Sequence, residues 1–175
     1  MLDVDGFAAP PSLGLSAGPP MLRYVLRGDA QAAAAAAPAL GLALPLTACR
    51  SASAGARHAL WLGPDEWLIL APIGDAIAAG LEAALPDLPH SLIEVSQRQT
   101  AIGVSGAHAA ARLSAGCPLD LDLAAFPIGM CTRTLFGKAE IVLWRTAETR
   151  FHIEVWRSSR AYVWGLLQAA GADLD

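Results

Sequence analysis

No asparagine occurs anywhere in the 175 residues. There is therefore no glycosylation sequon and no Asn-Gly turn. Cysteine is scarce: Cys49, Cys117 and Cys131 are widely spaced, with no Cys-x-x-Cys. Their odd number argues against a disulfide framework. His58, His90, His108 and His152 are scattered as well, so no zinc-ligand spacing is present. Basic charge is not in excess. A net charge of −4 gives no electrostatic footprint for nucleic acid. Neither a Gly-x-Gly-x-x-Gly fingerprint for a flavin or dinucleotide nor an internal repeat of fixed period is found. An unbroken long apolar run is also missing. Ala30 to Cys49 is free of charge for twenty residues, but Pro38, Gly41 and Pro45 interrupt it. It predicts an alanine-rich helix ending at Pro38, then an irregular apolar segment, rather than a membrane span. The opening Met1-Leu2-Asp3-Val4-Asp5 is acidic where a signal peptide is basic, so the expected location is the cytoplasm, with no membrane partner.

What is present fits one domain with an appended arm. The hydrophobic fraction of 54% is largely alanine, which suits helices and close packing. A chain of this size buries roughly 70% of its unfolded surface and can own a full core. Residues 1–20 are rich in Pro, Gly, Ser and Ala and read as an extended arm; residues 21–175 read as a single domain. Gly14-Leu15-Ser16-Ala17-Gly18 matches the Gly-x-Ser-x-Gly nucleophile pattern. Pro-Pro pairs stand on both sides in place of the strand and helix that motif needs, so it is a chance match.

The organising stretch is Ile93 to Gly106. Ile93 and Val95 precede a polar crossing, and Ile102 and Val104 follow it, each pair on one side of its strand. Ser105-Gly106 offers a cap for a helix over residues 107–115, closed by Gly116. Arg98 stands between Gln97 and Gln99, a planar guanidinium between two amides, suited to gripping a carboxylate or a partner's backbone. On residue chemistry alone, a loop stapled by its own hydrogen bonds is the preferred reading.

Before that stretch, Leu22, Tyr24 and Leu26 alternate with Arg23 and Arg27 as a half-buried strand, and Asp29 caps the alanine helix. Residues 39–56 read as loop. Two runs, Ala59–Leu62 and Trp67–Leu70, flank Gly63-Pro64-Asp65-Glu66 as a hairpin, which brings Trp61 and Trp67 together across the strands. Core packing is the preferred role of both indoles over an aromatic contact for a ligand. Gly74-Asp75 opens a helix whose buried stripe is Ile77, Leu81 and Leu85. After a long loop over residues 116–129, in which Cys117 is a packed thiol, Cys131 to Trp156 reads as a three-stranded meander turning at Gly137-Lys138 and Thr146–Thr149. Ser158 or Ser159 then caps a last helix with a core stripe of Tyr162, Leu166 and Ala169, widened by Val163 and Ala170. Trp164 falls off that stripe, which suggests contact with another chain, although partial burial is the commoner reason for such a placement. The fold class is α+β: mainly antiparallel sheet with covering helices.

These motifs, taken in order, resemble the sarcosine oxidase gamma subunit family. The resemblance is carried by Ala59–Leu68, by Val95-Ser96-Gln97-Arg98-Gln99-Thr100, and by Gly116-Cys117-Pro118-Leu119-Asp120-Leu121. Phe126-Pro127, Cys131–Leu135, Gly137–Glu140, Val155–Ser158 and Tyr162–Trp164 continue it over residues 20–170. It implies a fold similar to the folate-binding domain of the glycine-cleavage aminomethyltransferase. It also implies a heterotetrameric complex with alpha, beta and delta subunits, in which this chain packs on alpha. That complex oxidatively demethylates sarcosine to glycine, with hydrogen peroxide and 5,10-methylenetetrahydrofolate as products. The flavins, NAD and the tetrahydrofolate site belong to the larger subunits, and this chain binds no cofactor and has no catalytic residue of its own. The transferases' acidic pair is represented here by Glu140 alone. Expected interface residues are Arg98, Trp156, Arg157 and Trp164, since arginine and tryptophan are enriched in interface cores. The alternative is a folate-binding or aminomethyltransferase-like protein acting by itself. In that case Arg98 or Arg133 holds a glutamyl carboxylate, Trp61 or Trp67 stacks on a pterin, and Glu140 serves as a base.

Overall fold

A computed structural model describes residues 14–172. The acidic opening and most of the expected arm lie outside the described residues. The chain falls into two compact units. Unit one comprises described residues 14–19 and 98–172, and unit two residues 20–97. Each owns a five-stranded antiparallel sheet, as the fold class predicts.

In unit two the strands are β2 (Met21–Gly28), β3 (Ser51–Ala54), β4 (Arg57–Gly63), β5 (Glu66–Pro72) and β6 (His90–Glu94), in the order β3-β4-β5-β2-β6. Helices α1 (Ala30–Leu40) and α2 (Ile77–Ala84) complete the unit. Its core gathers Tyr24, Leu26, Trp67 and Ile69 from the sheet with Ala32, Ala36, Leu40, Ile77, Leu81 and Leu85 from the helices and their ends. Alanine on α1 keeps the helix slim and of high propensity. Asp29 caps it by accepting from the backbone N–H groups of Gln31 and Ala32, both at 2.9 Å. The helix runs past Pro38 to Leu40 and stops at Gly41, in the left-handed conformation with φ 70°. The proline removes the bond to the carbonyl four residues back, on Ala34, which is an exposed residue of the helix's outer face. Strand β3 replaces loop; a Ser/Ala segment without apolar alternation is strand here because β4 pairs with it. The hairpin forms as expected, with Trp61 opposite Trp67.

Arg57 links three segments of the unit. Its Nε and Nη2 donate to both carboxylate oxygens of Asp75 at 2.7 and 2.8 Å, and Nη1 donates to the Leu40 carbonyl at 2.9 Å. One guanidinium thereby ties β4 to the end of α1 and to the turn before α2.

Unit one contains β1 (Leu15–Ala17), β7 (Gln99–Ser105), β8 (Cys131–Phe136), β9 (Ala139–Ala147) and β10 (Arg150–Trp156), ordered β1-β7-β10-β9-β8. Helices α3 (Ala109–Ser114) and α4 (Arg160–Gly171) join it. Ile102, Val104, Ile141, Leu143, Phe151, Ile153 and Val155 alternate inward and pack with Leu113, Val163, Trp164 and Leu167 from the helices. The meander is as predicted, and Gly137 has the positive φ (59°) its turn needs. Strand β1 places Ser16 opposite Gly103, so the Gly-x-Ser-x-Gly match sits in a strand and not at an elbow before a helix. Gly14 is required for this seam: φ is 59°, and a Cβ there would overlap the Ser105 carbonyl oxygen.

Five expectations are corrected. Strands β6 and β7 do not pair; β6 joins β2 in one sheet and β7 joins β1 and β10 in the other. Ile93 is 56% exposed on the edge strand β6, while Val95 is buried just beyond its end, so the two do not share a core face. Ser105 caps no helix: its backbone N–H and Oγ both donate to the Gly14 carbonyl, and α3 begins at Ala109 with no side-chain cap. Helix α4 likewise has no side-chain cap from Ser159. Its buried stripe is Arg160, Val163, Trp164, Leu167 and Gly171, turned away from the expected Tyr162-Leu166-Ala169 line. The large indole at residue 164 sets the phase, because it has more apolar area to hide than the phenol at residue 162.

Candidate interface and ligand-binding residues

Three of the four expected interface residues meet at one end of the β7–β10 ladder. Trp156, the last residue of β10, is 45% exposed and lies opposite Gln99. Arg98 is exposed, and its guanidinium carbon stands 5.2 Å from the Trp156 ring centroid. Arg157 is exposed too, and its backbone N–H donates to the Arg98 carbonyl at 2.9 Å, extending the ladder by one rung. The fourth, Trp164, is 2% exposed in the core with the Arg160 guanidinium 5.9 Å from its ring. Its burial in this chain leaves it no free face for another.

Gln99 adds a feature that sequence reasoning missed. It is only 8% exposed, and its side-chain Oε1 has no hydrogen-bond donor among the described residues. An acceptor left in that state costs about 1–3 kcal/mol.

The ligand-binding candidates are dispersed. Arg133 on β8 and Glu140 on β9 are exposed, with Arg133 opposite Val142 and Glu140 opposite Leu135. In the other unit, Trp67 is fully buried, its Nε1 donating to the Pro45 carbonyl at 2.7 Å, so neither of its ring faces is free for a pterin. Trp61 is half-buried against the same core.

Several buried polar groups were also missed. Arg145 donates to the carbonyls of Leu121, Phe126 and Glu148 and lies 4.8 Å over the Phe151 ring. It fastens the 116–129 loop to β9. A cleft of about 440 Å³ includes it in its lining, together with Ala107, Ala110, Leu119, Asp120, Leu121 and Asp122. Glu154 is 1% exposed and meets His152 Nε2 at 2.7 Å, with the Trp144 ring 5.7 Å from that imidazole. Their spacing of two on one strand places them on one face, which is the signal the sequence offered. Among the described residues no His, Cys, Asp or Glu cluster is placed to hold a metal. No described helix is long and apolar enough to cross a membrane, which says nothing of a β-barrel.

The fold resembles part of an aminomethyltransferase. Glycine cleavage system aminomethyltransferase T from Bartonella henselae matches with a TM-score of 0.69 at 19% identity, over 88% of this chain and 45% of that one, a likeness of fold alone. The sequence profile described as "Sarcosine oxidase, gamma subunit family" matches residues 27–173, and the chain belongs to that family. Sarcosine oxidase subunit gamma from Corynebacterium sp. (strain P-1) is 39% identical over 94 residues, covering 54% of this chain and 46% of that protein. The match thus spans less than half the length of that relative. A chain of the heterotetrameric sarcosine oxidase from Corynebacterium sp. U-96, solved in complex with pyrrole 2-carboxylate, matches with a TM-score of 0.86 at 28% identity. The match covers 91% of this chain and 83% of that one.

Proposed function

We propose that this chain serves as the gamma subunit of a heterotetrameric sarcosine oxidase. It is a non-catalytic assembly subunit, and its partners are the alpha, beta and delta subunits. The electron chemistry belongs to those partners, which carry the flavins, NAD and tetrahydrofolate, and the complex works in the cytoplasm. The observation that carries this reading is the likeness, over most of both chains, to one chain of a solved oxidase of that name. The exposed Arg98, Trp156 and Arg157 supply a surface of interface composition. An autonomous folate-binding protein or aminomethyltransferase has weaker support. Glu140 stands alone on β9, and the burial of Trp67 removes one of its two stacking candidates.

Co-expression with the remaining subunits of the oxidase, followed by affinity capture through this chain, tests the reading. Stoichiometric recovery of yellow, flavin-containing subunits is the expected result. Capture of the chain alone, under conditions where the other subunits assemble with each other, overturns it.

A further inference from the structure

Strand β6 is the last of its sheet: β2 pairs with one side of it, and among the described residues no strand pairs with the other. The phase of that free edge follows from the ladder. The Val95 backbone N–H donates to the Arg23 carbonyl at 2.8 Å, and Ile93 and Ser91 lie opposite Val25 and Arg27 further along. Antiparallel pairs alternate between bonded and non-bonded. Ser91 and Ile93 therefore spend their backbone groups on β2, while those of His90, Leu92 and Glu94 point outward. The outward set is symmetric about Leu92. A second copy of β6, laid antiparallel across this edge with Leu92 opposite Leu92, meets each outward N–H with an outward carbonyl and forms about six backbone hydrogen bonds. The same register sets His90 of each copy opposite Glu94 of the other. Both residues are exposed. His90 Nδ1 donates to the Leu88 carbonyl at 2.8 Å, which leaves Nε2 free to meet a carboxylate.

We infer that β6 is a self-association edge, at which two copies of this chain join their sheets across a two-fold axis. Two properties select the occupant: the free backbone groups and the paired imidazole and carboxylate complement themselves in one and the same register. The other sheet edges lack this combination. In β8 the two-residue turn at Gly137-Lys138 makes Phe136 and Ala139 a bonded pair, so Cys131, Arg133 and Leu135 point outward. Self-pairing there sets Arg133 against Arg133, like charges directly opposed. Strand β3 offers only serine and alanine, and β1 has only 3 residues. A strand of another protein would find the same hydrogen bonds on β6; the His90–Glu94 reciprocity is what favours a second copy. An edge of 5 residues buries well under the ~1,200 Å² of a stable complex, so the dimer is weak and reversible. The inference concerns the chain by itself and does not rest on the subunit reading.

Sedimentation equilibrium of the isolated 175-residue chain over a concentration series tests it, with amide hydrogen exchange followed by NMR at both ends of the series. The expected result is a reversible monomer–dimer equilibrium. Exchange at the amides of His90, Leu92 and Glu94 slows as concentration rises, while Ser91 and Ile93, already bonded to β2, do not change. Glu94→Lys removes the carboxylate and sets an ammonium against each imidazole, so it weakens the dimer about tenfold. Combining it with His90→Glu reverses the pair and returns association to the wild-type value, a rescue that only a self-complementary register gives. Melting temperatures check that each variant is folded, and His90→Lys, expected to tighten the dimer several-fold, carries the test should Glu94→Lys not fold. A monomer at every concentration with unchanged exchange overturns the inference. So does a dimer that leaves the three outward amides unprotected or ignores the charge variants, since it would lie on another surface. Protection of those amides only in the co-expressed oxidase, with the isolated chain monomeric, overturns it in favour of a partner subunit's strand on this edge.

Discussion

Replacing Arg57 by methionine separates a structural ion pair from a decorative one. The substitution keeps most of the apolar stem and deletes four hydrogen bonds: two to Asp75, one to Leu40 at 2.9 Å and one to Ala39 at 3.3 Å. The Asp75 side chain is 14% exposed and that of Arg57 33%, so the pair is partly shielded from solvent. The hydrogen bond to Asp75, and secondarily its charge, hold the guanidinium pKa above the ordinary arginine value, against the opposing effect of burial. The side chain therefore stays charged across the working pH range. Hydrogen bonds to charged groups contribute about 1.5–3 kcal/mol each, but those sharing one guanidinium are not additive, and one-third exposure discounts them further. A net loss of about 2 kcal/mol follows. For a chain of this length that corresponds to a melting temperature lower by about 4–8 °C. Arg27→Met is the internal control. Arg27 reaches Asp65 at 2.9 Å, but both side chains are more than half exposed, at 55% and 54%, so the cost is within about 0.5 kcal/mol. Calorimetry or urea titration of the two variants decides the matter. Equal losses would refute the reasoning that Arg57 latches α1, β4 and the start of α2 together.

Other expectations follow from the same structure. Trp164→Ala empties a fully enclosed site and costs about 3–5 kcal/mol in urea unfolding, whereas Trp156→Ala, at an exposed position, stays within about 1 kcal/mol of wild type; the reverse order would mean that the two indoles have been misplaced. Gly137→Ala forces a left-handed backbone on a residue with a Cβ and drives that atom into the Tyr162 hydroxyl, so a loss of about 1–2 kcal/mol is expected in the same assay. The Tyr24 phenol has its pKa raised above 10.0, by burial first and then by the charges of Glu94, Asp75 and Glu82. The folded state thus holds this proton more tightly than the unfolded state. Stability on its account is constant below the unfolded pKa and declines as pH rises beyond about 10 through the folded value. Tyr24→Phe should flatten that alkaline decline in a series of urea midpoints from pH 9 to 11.

Where a residue's neighbours in sequence determined its surroundings, the chain was legible. The meander from Cys131 to Trp156 alternates cleanly, its first turn carries glycine where φ is positive, and the three strands form as expected. Asp29 sits one residue before an alanine run and caps it. What failed depended on partners distant in sequence. The Ile93–Gly106 stretch resembles two strands meeting at a tight turn, yet nothing local says that each belongs to a different sheet. The phase of α4 was misjudged because Arg160 and Trp164 are amphipathic: a guanidinium stacked on an indole can be buried where a periodicity rule counts a charge as exposed. Arg145 was hidden for the same reason, its donors spent on loop carbonyls. The sequence put forward Arg98 and Trp156 separately, and in the structure the guanidinium of one stacks on the indole of the other. The orphaned amide of Gln99 needed coordinates, since an unsatisfied acceptor leaves no trace in composition.

The most direct measurement of the central claim is activity and colour, followed together, on the chain alone and on the co-expressed complex. The account predicts a colourless isolated chain that neither consumes sarcosine nor releases peroxide, and a yellow complex, retaining this chain in equal proportion to its partners, that does both. Sarcosine-dependent peroxide release by the isolated chain would contradict it.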